Sequence, residues 1–187
     1  MTSNPRMKSF NSNSRFLYII LELKARVPDL TRIRQKLLER NLEKRGIFHQ
    51  IDTYFQVPKG RLKLREIKGK TKAELIYYER KDTAKVKHCY ASILRVPPTA
   101  CASFKKLLLQ ILDIKVVVEK VREIYSYEGV EIHLDNVQGL GSFVEFELET
   151  SQDPKQLGKQ QLRIKKLREQ LEINSHSLER FSYCDLI

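Results

Sequence analysis

Residues 142–149, SFVEFELE, set Glu145, Glu147 and Glu149 at every second position, with Val144, Phe146 and Leu148 between them. As a strand, this segment has one carboxylate face and one apolar face, because successive side chains point to opposite sides of the backbone. The same period recurs in four other segments. Glu22, Lys24 and Arg26 alternate with Leu21, Leu23, Ala25 and Val27, and Arg61, Lys63 and Arg65 alternate with Leu62 and Leu64. Lys120 and Arg122 share a face, as do His133 and Asp135. One such strand is an ordinary solvent face of an antiparallel sheet. Five neighbouring ones make a continuous charged surface, and a sheet that curls turns that surface into the lining of a groove or tunnel.

Such a lining has an electrostatic problem. Carboxylates two residues apart on a strand lie roughly 6–7 Å apart, and they repel by about 2 kcal/mol at an effective dielectric of about 20. Burial makes the repulsion worse. Either a lattice of ion pairs with nearby Lys and Arg or a bound divalent cation relieves it. Cys89, Cys101 and Cys184 lack metal-ligand spacing, and His49, His88, His133 and His176 form no cluster in sequence. A carboxylate site without a Cys or His framework suits a hard ion, Mg²⁺ or Mn²⁺. The basic strands are then free to hold an anion, which is what a metal–phosphate substrate requires. His133 itself reads either as an acid/base group or as a hydrogen-bonded structural residue.

Between the charged strands the chain reads as α+β on an antiparallel sheet, with about eight strands and three helices. Strands are expected over 16–27, 49–57, 60–67, 74–80, 87–96, 114–126, 130–137 and 142–150, with PKG at 58–60 and QGLG at 138–141 as turns. Asp29 is expected to cap a first helix with the stripe Leu30, Ile33, Leu37 and Leu38, stopped at Gly46. Ala100, Phe104, Leu107, Leu108 and Ile111 recur at helical spacing, and so do Leu157, Ile164, Leu167 and Leu171 after Pro154.

The 187 residues suffice for one domain with a real core. A formal charge of +12 favours an anionic partner but does not choose among nucleic acid, anionic lipid and phosphorylated small molecules. The lack of any run of 18 apolar residues argues against a membrane-spanning helix. Reduced, widely spaced cysteines fit a cytoplasmic setting. Residues 1–15, rich in Ser and Asn and free of acids, read as a disordered tail, with a weak targeting sequence as the alternative. The Lys/Arg-rich segment from Lys155 to Arg168 reads as a solvated helix face, with an RNA-binding face as the competing reading. Tyr54, Tyr77 and Tyr78 read as core, with contact to a base or sugar as the alternative.

Six stretches also resemble one known family: LELK at 21–24, GRLKLR at 60–65, LIYYER at 75–80, EKVR at 119–122, IHLDNVQGLGSFVEFELE at 132–149 and SYCDLI at 182–187. Their order and spacing resemble the CYTH superfamily, named for class IV adenylyl cyclase and thiamine triphosphatase, and closest to its cyclase-like branch. The resemblance spans residues 16–150 and the C-terminal tail. It implies a closed eight-stranded antiparallel barrel flanked by helices, a triphosphate tunnel, over residues 16–187. It also implies a triphosphorylated substrate held by Lys and Arg, and Mg²⁺ or Mn²⁺ held by acids.

Carried over by position, Glu22 and Lys24 match the last two members of the ExExK signature. Lys63 and Arg65, and Lys120 and Arg122, match basic pairs, and Arg80 is a looser match. Asp135, Glu145 and Glu147 match acids of the last tunnel strands. The implied metal ligands are Glu22, Asp135, Glu145 and Glu147. The implied phosphate ligands are Lys24, Lys63, Arg65, Arg80, Lys120 and Arg122, with Glu22, Lys24 and Glu147 at the chemistry. The first Glu of the signature falls at Ile20, which removes one carboxylate. The leading expectation is a metal-dependent phosphohydrolase of a nucleoside triphosphate, thiamine triphosphate or tripolyphosphate. The alternatives are an adenylyl cyclase using the same tunnel and, because of Ile20, a triphosphate-binding protein with weak turnover. Neither a membrane nor a nucleic acid is the expected partner.

Overall fold

The computed structural model describes residues 18–151 and 153–187. The expected tail at 1–15 and the first two residues of the first expected strand lie outside them. In chain order the main elements are β1 (Tyr18–Val27), α1 (Thr31–Glu39), β2 (Glu43–Phe55), β3 (Arg61–Ile67), β4 (Ala73–Arg80) and β5 (Lys87–Val96). They continue with α2 (Cys101–Ile111), β6 (Ile114–Tyr127), β7 (Val130–Val137), β8 (Gly141–Thr150) and α3 (Pro154–Gln170).

The strands close into one barrel in the order β1-β5-β4-β3-β2-β6-β7-β8, each neighbour antiparallel. Closure leaves no unpaired edge, and it divides every strand into an inward and an outward set of side chains. The outward set of β1, β7 and β8 is apolar. Leu21, Leu23, Ile132, Leu134, Val144 and Phe146 pack with Ile33 and Leu37 of α1 and with Ile164 and Leu167 of α3. On another flank, Phe55, Leu64, Ala73 and Val96 pack against Leu108 of α2. These outward residues supply much of the hydrophobic stabilisation, which leaves part of the inward set free to be charged beside an apolar interior cluster of Ile76, Tyr78, Cys89 and Ala91.

Several local expectations need correction. Leu30, not Asp29, occupies the cap position of α1, and the Asp29 carboxylate accepts a hydrogen bond from the Thr31 hydroxyl at 2.9 Å. The helix ends well before Gly46. Asn41, at φ +52°, turns the chain, and Gly46 lies within β2 where its pairing with β6 slips by a bulge. A side chain at Gly46 would meet the Phe48 ring at 3.0 Å. Leu38, Leu107 and Ile111 are 59, 52 and 65% exposed. Each helix touches the curved barrel along a narrow line, so the apolar stripe written in the sequence is wider than the contact.

Candidate functional site

The inward positions follow from register. On β1 and β8 the Cα partners are Glu22 with Glu147 and Lys24 with Glu145. On β7 and β8 His133 faces Glu145, and on β6 and β7 Arg122 faces Asp135. Asp52 on β2 pairs with Arg65 on β3, and Tyr54 with Lys63. One cavity inside the barrel is lined by Glu22, Lys24, Lys63, Arg65, Lys120, Arg122, Glu145 and Glu147. Among the expected residues, Asp135 is fully buried beneath this lining, and Arg80 lies 3.7 Å from the Glu22 carboxylate.

Two buried aspartates organise the cations. Asp52 accepts from Lys63 at 2.9 Å and from Arg65 at 2.7 and 2.8 Å, with Lys120 4.0 Å away. Asp135 accepts from Arg122 at 2.7 and 2.5 Å, from Lys120 at 3.4 Å and from the Tyr183 hydroxyl at 2.8 Å. Burial would raise the Asp52 carboxyl, but Arg65 and Lys63 outweigh it and hold the group well below its usual range. By the same opposition, Arg122 and Lys120 overcome burial and hold Asp135 at about 2. Lys120, with only part shares in two carboxylates, is pushed down to about 7 by burial and by Arg122. Glu22 is lowered because Arg80, Lys24 and Lys87 outweigh its burial.

The C-terminal segment closes the lattice from one side. The Glu179 N–H donates to the Lys24 carbonyl at 2.9 Å, where β1 has run past its pairing with β5. Lys24 donates to the Phe181 carbonyl at 3.3 Å and Lys87 to that of Glu179 at 2.9 Å. Arg80 donates to the Arg180 carbonyl at 3.1 Å and to the Ser182 hydroxyl at 2.6 Å. The Lys24 ammonium stands 3.7 Å from the Tyr183 ring centroid, a cation–π contact. Ser182 and Tyr183 line the cavity, and Asp185 behind them pairs with Arg61 and Lys115.

The carboxylate cluster includes a histidine. His133 Nδ1 lies 3.8 Å from Glu145 and 3.7 Å from Glu147, is buried, and has no hydrogen-bond partner among the described residues. Nε2 is engaged by Glu131 at 3.1 Å, which orients the ring. One ligand atom from each of His133, Glu145 and Glu147 falls within 4.8 Å of the others. An orphaned buried nitrogen beside two carboxylates fits a divalent cation, and the mixed N/O donor set suits Mn²⁺ better than an all-oxygen ion such as Mg²⁺. His133 joins the carboxylates because the β7–β8 hairpin register sets it against Glu145 on the inward face.

A CYTH domain model matches residues 19–183. The chain belongs to the CYTH family. Two Pyrococcus horikoshii proteins of known structure resemble it. PH1012 is 27% identical over 90% of this chain and 99% of its own, with a TM-score of 0.74. PH1819 is 26% identical over 89% and 97%, also at 0.74. A Vibrio parahaemolyticus protein provisionally described as an adenylate cyclase shares the fold at 22% identity and a TM-score of 0.73, over 90% of this chain and 97% of its own. No curated protein matches. No helix among the described residues is long and apolar enough to cross a membrane.

Within this CYTH barrel some site residues escaped sequence reasoning. Asp52 sits in HQIDTYF, whose inward set Gln50, Asp52 and Tyr54 mixes polar and aromatic residues and hides the period. Lys87 opens β5 and reaches Glu22 at 3.5 Å. Conversely, Arg26 is exposed at the barrel end, donating to the Leu140 carbonyl at 2.6 Å. Tyr54 and Tyr78 line the cavity, whereas Tyr77 takes the opposite side of β4 and donates to Glu79 at 2.7 Å. Lys155, Lys159, Arg163, Lys165 and Lys166 of α3 are exposed.

Proposed function

We propose that this CYTH barrel binds a triphosphorylated substrate together with Mg²⁺ or Mn²⁺ and hydrolyses its terminal phosphoanhydride. The observation that carries this reading is the convergence of Lys24, Lys63, Arg65, Lys120 and Arg122 on the cavity that Glu145 and Glu147 share. Five basic residues in one pocket suit a polyanionic triphosphate chain. Arg65 and Arg122, whose Nε and one Nη are held by Asp52 and Asp135, keep the other Nη for phosphate oxygens.

His133, Glu145 and Glu147 would hold the cation, with Glu22, the Cα partner of Glu147, beside them. When bound, the cation supplies charge neutralisation at the phosphate oxygens and an acidified water as nucleophile. Asp52 and Asp135 align the basic residues and oppose the loss of their charge that burial favours. In the free barrel Glu145 is ion-paired with Lys24 and Arg122. Phosphate oxygens that draw those two cations away release Glu145, so substrate and metal sites assist each other. Lys24, Lys63 and Arg122 then stabilise negative charge as it moves toward the leaving group.

A second reading, a triphosphate binder with weak turnover, is favoured by Ile20. Its neighbours across the sheet are Cys89 and Glu149, and it packs with the apolar interior cluster. The test incubates the protein with ATP, thiamine triphosphate and inorganic tripolyphosphate, each with Mg²⁺ and with Mn²⁺, and identifies the products. Orthophosphate release supports hydrolysis. Cyclic nucleotide with pyrophosphate assigns cyclase chemistry instead, and tight binding without product assigns the binder.

A further inference from the structure

Half of the cavity wall is uncharged. Ile20 on β1 is the Cα partner of Cys89 on β5, and Ile93 and Ala91 on β5 are the partners of Ile76 and Tyr78 on β4. All six line the same cavity as the cations. Ile76, Cys89 and Ala91 are buried, while Ile20 and Ile93 remain half-buried and face the cavity. The ion-pair lattice occupies the opposite staves and, toward the end that the C-terminal segment covers, Glu22, Lys24, Arg80 and Lys87 of these same three strands. The C-terminal segment contacts Lys24, Arg80 and Lys87, whereas Ile20 lies four residues nearer the start of β1 than Lys24. The apolar stretch therefore points away from the end that the tail covers.

An inorganic tripolyphosphate presents oxygens on every side. In this cavity one flank of it would lie against hydrocarbon, stripped of water and without a donor, which is unfavourable. A phosphate chain carrying a neutral organic group has a use for both walls. We propose that Ile20, Ile76 and Ile93 form a subsite for an uncharged, largely apolar organic group esterified to the phosphate chain. The ligand enters phosphate end first toward Lys24, Lys63 and Lys120, and the barrel takes an organic triphosphate in preference to an inorganic one. This inference rests on the triphosphate reading above.

Calorimetric titration of the full chain in EDTA with ATP and with inorganic tripolyphosphate tests it without turnover. Charge alone favours tripolyphosphate, so the comparison is demanding. ATP is expected to bind more tightly by about tenfold or more, and Ile93→Ser to weaken ATP by about tenfold while leaving tripolyphosphate within about twofold. Tripolyphosphate binding equal to or tighter than ATP, or an Ile93→Ser loss shared by both ligands, overturns the subsite while the triphosphate reading stands. Absence of binding by either ligand overturns both. If Ile93→Ser does not fold, the wild-type comparison and Ile20→Ser decide.

Discussion

Lys24 and Glu145, Cα partners on adjacent strands, form an ion pair of 3.0 Å with both side chains almost wholly out of solvent. The pair joins the proposed phosphate ligands to the proposed metal ligands, and neither group can serve its ligand without loosening the other. Glu145→Gln should abolish most Mn²⁺ binding, by about 10- to 100-fold. It should strengthen metal-free triphosphate binding, because Lys24 and Arg122 lose a competing carboxylate. Titration with Mn²⁺ and with tripolyphosphate in EDTA checks both directions.

His133→Asn removes the unpartnered imidazole nitrogen beside Glu145 and Glu147. Affinity for Mn²⁺ should fall about tenfold or more, while Mg²⁺, which prefers oxygen, should change less. The ratio of the two affinities, measured by calorimetry, reports the ligand role. A purely structural histidine would shift both ions equally.

Asp52→Asn leaves Lys63, Arg65 and part of Lys120 without their buried anion. The expected loss is about 3–5 kcal/mol of folding stability. Tripolyphosphate or sulfate should recover part of it by supplying the missing negative charge. Thermal unfolding with and without the anion makes the comparison, and a variant as stable as the wild type would argue against Asp52 as the organising centre.

Lys120 titrates at about 7 in the fold, against 10.5 for the free side chain. Between these values the unfolded chain binds more protons. The contribution of Lys120 to stability is therefore fully present above 10.5 and lost as pH falls through about 7. Phosphate binding runs the other way, because it needs the ammonium. Affinity for tripolyphosphate should decline as pH rises above 7, with proton uptake on binding, and Lys120→Arg should flatten the profile. Asp135, held at about 2 against 3.8, adds stability that is present above 3.8 and lost as pH falls toward 2.

The period-two alternation around Glu22, Lys63, Lys120, Asp135 and Glu145 was legible in the chain itself, because a strand sends neighbouring side chains to opposite faces whatever its partners are. That local rule decides which residues share a side, and with the motif order it indicated an antiparallel α+β chain of this family. It does not decide what stands opposite. The pairing of Asp52 with Arg65, the meeting of His133 with Glu147, and the seating of Ser182 and Tyr183 beneath Lys24 join residues up to 159 positions apart. The register of the β2–β3 and β7–β8 hairpins sets the first two, and the return of the C-terminal segment sets the third. The register between strands and the curvature of the sheet, both set by packing of the outward apolar faces on the helices, determine which charges become neighbours.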